Sequence, residues 1–260
     1  MTNRLLLLVL LMAVVTAGCG GRAEPRPEPA PRPPGLVTET AGRGVQQSTI
    51  IRPDPAPPAP LPVVVFLHGW GAPEPDFYRP WLEHLARRGS AVVYPRYQDS
   101  FVQPPRQALG NVLAALRIAL ARPGLDTGSL VIAGHSAGGA LAADYAALAR
   151  TAGLPAPRAI FAAYPGRRLP RIPDGLPEIP PRRIAPGTRI VAVASEADGV
   201  VGTGTARELV RGATRADARL VLVDDPAVAD HQAPLRTDAA VRRAFWAPLD
   251  RLIARVGVPR

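Results

Sequence analysis

Apolar residues in this chain gather in short unbroken runs, separated by longer stretches in which they recur every three or four positions. The runs are Pro62–Leu67, Ala91–Tyr94, Leu130–Ala133, Ala159–Ala162 and Arg189–Ala194. A run without polar alternation belongs to a strand covered on both faces, as in a parallel sheet. Between the runs, Trp81, Leu82 and Leu85 share a helical face, with Pro80 suited to the first turn and Gly89 to the C-terminal cap. Leu109, Val112, Leu113, Leu116 and Leu120 form a second such stripe, Leu141, Tyr145 and Leu148 a third, and Val241, Phe245, Leu249 and Leu252 a fourth. The β-rich stretch Val45–Ile51 predicts an early strand and Arg219–Val223 a last one, while the proline-studded stretch from Pro53 to Pro62 reads as a connector. Strands alternating with helices predict an α/β fold: a mainly parallel central sheet with right-handed crossovers and helices on both faces.

The first 35 residues do not follow this pattern. Arg4 gives a positive start, Leu5 to Val15 is an apolar run, and Thr16-Ala17-Gly18 leads into Cys19, the single cysteine. The run is shorter than the roughly 20 residues needed to cross a bilayer core, so residues 1–18 read as a signal peptide. Small residues directly before Cys19 resemble the bacterial lipobox, which implies a lipidated Cys19. Thr16 departs from the bulky aliphatic usual at that place, and Val15-Thr16-Ala17 also fits cleavage for free secretion. Residues 19–35 carry six prolines among charges and predict an extended tether. The expected location is therefore extracytoplasmic, either held at a membrane by lipid or secreted, with residues 36–260 as one catalytic-sized body.

Charge and composition narrow the picture further. The formal net charge is +10, carried wholly by arginine and scattered along the chain without a recognition helix, zinc-ligand set or basic aromatic repeat. Nucleic acid is therefore not expected as a partner. One cysteine allows neither an intrachain disulfide nor a cysteine metal cluster.

The chemistry starts at Gly134-His135-Ser136-Ala137-Gly138, a G-x-S-x-G string between a buried strand and a periodic helix. Such a serine occupies a sharp strand-to-helix turn in which neighbouring side chains would collide. On these residues the stretch from about Gly35 to the C-terminus resembles the α/β-hydrolase family, in its esterase, lipase and dienelactone-hydrolase-like branches. The resemblance implies Ser136 as nucleophile and no metal or cofactor. A serine needs a base to take its proton. Of four histidines, His68 sits in a turn after a strand, His84 in the first helix and His135 within the elbow. His231 follows the last strand, where the family places its base.

The acid is expected after the strand ending near Ala194. Glu196-Ala197-Asp198-Gly199-Val200-Val201 resembles the family's acid loop and implies Asp198, with Glu196 as runner-up and Asp224, Asp225 and Asp230 read as solvated turn acids. His68-Gly69-Trp70-Gly71 resembles the oxyanion turn, implying the amides of Trp70 and Ala137 as its two donors. The Trp70 indole either lines an acyl pocket or packs in the core. From Pro165 to Gly187, where many relatives carry a helical cap, seven prolines predict an extended rim and no large cap domain. Arg167, Arg168, Arg171, Arg182 and Arg183 make that rim basic, either attracting acidic substrates or surfaces or merely solvated.

The activity these features imply is hydrolysis of a small-molecule or polymeric carboxylic ester through an acyl-enzyme. Peptidase or thioesterase chemistry on the same fold, and a catalytically silent envelope binding protein, remain the alternatives.

Overall fold

The computed structural model describes residues 35–168 and 174–257. The stretches expected to be a signal peptide and a tether, with Cys19 between them, lie outside the described residues through residue 34, as do residues 169–173 of the proline-rich rim.

Eight strands form one sheet: β1 Gly35–Ala41, β2 Ser48–Asp54, β3 Leu61–Leu67, β4 Ala91–Pro95, β5 Leu125–His135, β6 Ala159–Ala163, β7 Arg189–Ala194 and β8 Asp217–Leu222. Their spatial order is β1-β2-β4-β3-β5-β6-β7-β8. β1 and β2 pair antiparallel, as do β2 and β4, and every other pairing is parallel. The helices are α1 Arg79–Arg87, α2 Ala108–Ala119, α3 Ala137–Leu148, α4 Gly204–Gly212, the short α5 Ala239–Val241 and α6 Ala247–Val256, the last two joined by a π-helical stretch over Arg242–Trp246.

Each strand feeds two cores, because successive side chains leave a strand on opposite faces. Val63, Val65 and Leu67 join the layer containing α2, α3 and α4, while Val64 and Phe66 join the layer containing α1 and α6. β5 does the same, with Leu130 and Ile132 on one side and Val131 and Ala133 on the other. Trp81, Leu82 and Leu85 of α1 are fully buried on the second layer, each contributing roughly 1.5–3 kcal/mol of apolar transfer. α1 ends as its glycine predicts. Gly89 takes φ +93°, its N–H donates to Ala86 O at 2.9 Å, and the Ser90 N–H donates to Leu85 O at 3.3 Å, the paired bonds of a Schellman cap.

Several elements differ from the sequence expectation. β1 begins at Gly35, inside the stretch read as tether, and was not foreseen. As the edge strand it keeps only Ala41 buried, so it has no apolar run to announce it. β2 is shifted to Ser48–Asp54 and includes Pro53, which faces Leu36 of the edge strand beyond the stretch that pairs with β4. Proline, lacking an N–H, is tolerated where the ladder is one-sided. β5 starts five residues early, its first residues pairing with Leu61 and Pro62 ahead of a register shift. α4 was also unforeseen, since its apolar stripe is reduced to buried Ala206 and Leu209.

Between β6 and β7, the described residues hold a single 3-10 turn, Pro181–Arg183, and no α-helix. Leu176 and Ile184 from this rim are buried in the core, so the described part of the segment packs down onto the body.

Candidate active site

The site is assembled at the C-terminal ends of the parallel strands, where open α/β sheets bind ligands. β5 runs directly into Ser136, whose φ of +56° and ψ of −122° lie outside the regions a non-glycine residue normally occupies. The turn is possible because its flanks lack side chains. A Cβ on Gly134 would overlap the carbonyl of Gly138, and one on Gly138 would overlap the carbonyls of Leu67 and His68. The strained serine is held by its own backbone: its N–H donates to Ala163 O at 3.0 Å, and its carbonyl accepts from Gly166 N–H at 3.1 Å and Gly139 N–H at 3.0 Å.

Ser136 Oγ lies 2.9 Å from His231 Nε2, and His231 Nδ1 lies 2.7 Å from Asp198 Oδ2. All three residues are buried. The other Asp198 oxygen accepts from the backbone N–H groups of Val200 at 2.8 Å and Val201 at 3.2 Å. Burial alone would raise the Asp198 pKa, but the hydrogen bond from His231 and those two amides together hold it below the ordinary aspartate value. An ionised Asp198 requires the proton on His231 Nδ1, which leaves the Nε2 lone pair facing the serine hydroxyl.

The four histidines separate as the geometry demands. His84 on α1 pairs with Asp250 of α6 at 2.9 Å. His68 is buried against Tyr97, ring centroids 4.0 Å apart, and burial lowers its pKa to about 4. His135 is also buried, and its pKa falls to about 3, first through desolvation and then through the neighbouring His231. Only His231 reaches the serine.

The runner-up acid points away. Glu196 is largely exposed and pairs with Arg207 at 2.7 Å. Asp230 faces Arg236 at 2.9 Å, and Asp225 accepts from the N–H of Ala227 within its own turn.

In the turn after β3, Gly69 N–H donates to Tyr78 Oη at 3.0 Å, Gly71 N–H to Gln98 Oε1 at 2.8 Å, and Ala72 N–H to Gly69 O at 3.1 Å. The amide between them, that of Trp70, has no acceptor among the described residues. Neither has that of Ala137, the first residue of α3, where helix geometry leaves donors unpaired. A Cβ built on Gly69 would be 3.5 Å from Ser136 Cβ, so the turn and the elbow are in contact. The Trp70 indole is partly buried against the core and donates to Phe101 O at 2.9 Å.

Sequence reasoning missed Tyr78, Gln98 and Tyr164, the polar supports of this arrangement. Tyr164, at φ +46° after β6, donates its hydroxyl to Val228 O in the loop that carries His231 and stacks on the His231 ring at 6.2 Å. One arginine of the basic rim is neither solvated nor free to attract a partner. Arg167 is bound bidentately by buried Asp144 of α3, both contacts 2.8 Å, and donates to Pro177 O. Its charge is therefore spent tying the rim to the body, while Arg168, Arg182 and Arg183 remain exposed.

The comparisons agree with this architecture. A family model described as alpha/beta hydrolase fold matches residues 64–181. A solved structure of a putative dienelactone hydrolase from Klebsiella pneumoniae is 18% identical, with 85% of this chain and 99% of that one covered at a TM-score of 0.61. Fungal esterases from Rhizomucor miehei are 19% identical over 86% of this chain and 83% of theirs, TM-score 0.64. Esterase B from Lactobacillus rhamnosus is 14% identical over 86% and 87%, TM-score 0.64. No curated protein sequence matches the chain. Sheet order, elbow and structural neighbours converge, and the chain has the α/β-hydrolase fold.

Proposed function

We propose that the protein is a serine hydrolase that cleaves carboxylic esters through an acyl-enzyme. The observation that carries this reading is the continuous hydrogen-bonded line from Ser136 Oγ through His231 to the Asp198 carboxylate. In the first half-reaction Ser136 Oγ attacks the ester carbonyl carbon while His231 Nε2 takes its proton. Asp198 stabilises the resulting imidazolium. The negative oxygen of the tetrahedral intermediate accepts from the amides of Trp70 and Ala137, which have no other partner among the described residues. The intermediate collapses by expelling the alcohol, protonated by His231. In the second half water attacks the acyl carbon while His231 takes its proton, and the second tetrahedral intermediate expels Ser136 Oγ, which takes that proton back from His231 as the acid leaves.

Esters are favoured over amides or thioesters because solved structures of similar fold include esterases. The described residues between β6 and β7 hold no α-helix, which favours free access for small substrates. A fluorophosphonate probe should label the full chain stoichiometrically at Ser136, and p-nitrophenyl esters should be turned over faster than matched amides and thioesters. Faster amide or thioester cleavage would move the assignment to a peptidase or thioesterase. No labelling and no turnover would leave a silent binding protein.

We further propose that the enzyme works outside the cytoplasm, held at a membrane through lipid on Cys19. The support is the sequence of the leader: an apolar run, small residues, then the single cysteine. Stable anchoring takes more than one acyl chain, as a lipoprotein cysteine supplies. In the producing cell Cys19→Ser should abolish fatty-acid labelling and move the protein from the membrane to the soluble fraction. An unmodified mature N-terminus at Gly18 would show free secretion instead.

A further inference from the structure

We infer that Tyr78 and His135 are positioning residues that join the oxyanion turn to the loop carrying the base, an inference that rests on the hydrolase reading above. Neither takes part in the proton transfers just described, yet both are buried at the centre of the site.

The hydrogen bonds form one line through four separate segments. Gly69 N–H meets Tyr78 Oη at 3.0 Å, Tyr78 Oη meets His135 Nδ1 at 2.8 Å, and His135 Nε2 meets the His231 carbonyl oxygen at 2.9 Å. The proton positions are forced. A carbonyl oxygen only accepts, so His135 carries its hydrogen on Nε2 and presents a lone pair at Nδ1. The Tyr78 hydroxyl must then donate to that lone pair, which leaves its oxygen free to accept from Gly69. Every donor and acceptor along the line is used in one direction.

The line holds through turnover because its members do not titrate. Burial lowers the His135 pKa to about 3, and a positive charge on His231, whose ring centroid is 4.9 Å away, opposes a second charge there. Burial also pushes the Tyr78 hydroxyl pKa up. His231 therefore gains and loses its proton beside a neighbour that stays neutral.

At the far end the line fixes the amide that matters. Gly69 O accepts from Ala72 N–H at 3.1 Å and lies 2.8 Å from His68 Nδ1, and this carbonyl shares a peptide plane with the Trp70 N–H. With Gly69 N–H on Tyr78, Gly69 O on Ala72 and Gly71 N–H on Gln98, the Trp70 N–H has one direction left. Glycine at 69 is what allows the approach, since a Cβ there would sit 3.1 Å from Tyr78 Oη and 3.3 Å from His135 Nδ1. Removing the Tyr78 hydroxyl takes away one of the three hydrogen-bonded contacts that hold Gly69 and leaves the His135 lone pair unpaired, so the oxyanion donor loses part of its aim while the triad remains in contact.

The test compares a p-nitrophenyl ester with its thionoester, whose sulfur accepts hydrogen bonds poorly and so responds weakly to an oxyanion hole. In the full chain Tyr78→Phe should lower kcat on the ester about 10- to 100-fold, part of what loss of an oxyanion donor costs. KM should change less than twofold, and the ester-to-thionoester rate ratio should fall markedly. His135→Gln keeps an acceptor and a donor on one side chain and should retain more activity than His135→Leu. Equal slowing of both substrates, or Tyr78→Phe with unchanged kcat, would overturn the inference. Failure of the unaltered chain to react with a fluorophosphonate would instead remove the hydrolase reading, which separates the two failures.

Discussion

Ser136→Ala and His231→Ala are each expected to lower kcat on an activated ester by about 10⁵-fold or more, and the double variant to lose little beyond either single one. The non-additivity follows from the 2.9 Å contact between Ser136 Oγ and His231 Nε2. Without the base the serine is a neutral hydroxyl, and without the hydroxyl the base has no proton to take. Both proteins should stay folded. Ser136→Ala removes one hydroxyl and adds no volume to the elbow, and the backbone bonds from Ser136 to Ala163, Gly139 and Gly166 persist. His231→Ala deprives Asp198 of one partner but leaves the amides of Val200 and Val201 on its other oxygen, so the buried carboxylate is not stranded. Circular dichroism alongside steady-state kinetics decides the matter. A folded variant of either kind with near-normal kcat would sink the proposed mechanism.

What could be read from the chain beforehand follows from burial. The central strands were legible because both faces of β3, β5, β6 and β7 are covered, which forces unbroken apolar runs. β1 and α4 were not, because an edge strand with Ala41 as its one buried residue and a helix with two buried alanine or leucine positions leave almost no pattern. The same contrast holds within the site. Ser136, His231 and Asp198 stand in loops whose neighbouring residues resemble a known family, so each could be named, and the structure brings the three together. Tyr78, His135 and Tyr164 could not be assigned partners from sequence, since Tyr78 and His135 meet each other across 57 positions and their remaining bonds, with that of Tyr164, go to backbone atoms 9, 96 and 64 positions away. A backbone carbonyl or amide leaves no mark in the identity of the residue that carries it. Asp144 and Arg167 illustrate the opposite case. The sequence places Arg167 in a basic rim and says nothing of Asp144, and only the fold shows that the two neutralise each other at 2.8 Å.

Asp198→Asn is expected to reduce kcat by about 10⁴-fold, whereas Glu196→Gln should change it less than twofold. The asparagine is nearly the same shape and can keep its carbonyl oxygen on the amides of Val200 and Val201, which fixes the orientation of the group. Its NH₂ then faces His231 Nδ1 in place of Oδ2, which now lies 2.7 Å from that nitrogen. Two donors cannot face each other, so the imidazole moves its proton to Nε2. In that tautomer Nε2 donates toward Ser136 Oγ where it should accept, and the base is lost although every heavy atom is in place. Loss of the negative charge also removes the stabilisation of the imidazolium formed during attack. Glu196 has none of these connections: its side chain is 68% exposed and its partner is Arg207, a surface pair worth about 0–1 kcal/mol. The two variants, compared by kcat/KM on one p-nitrophenyl ester at pH 7, give opposite outcomes under the two assignments. A folded Asp198→Asn protein with near-full activity, beside a Glu196→Gln protein that has lost it, would transfer the role of the acid to Glu196 and require the loop after β7 to rearrange in solution.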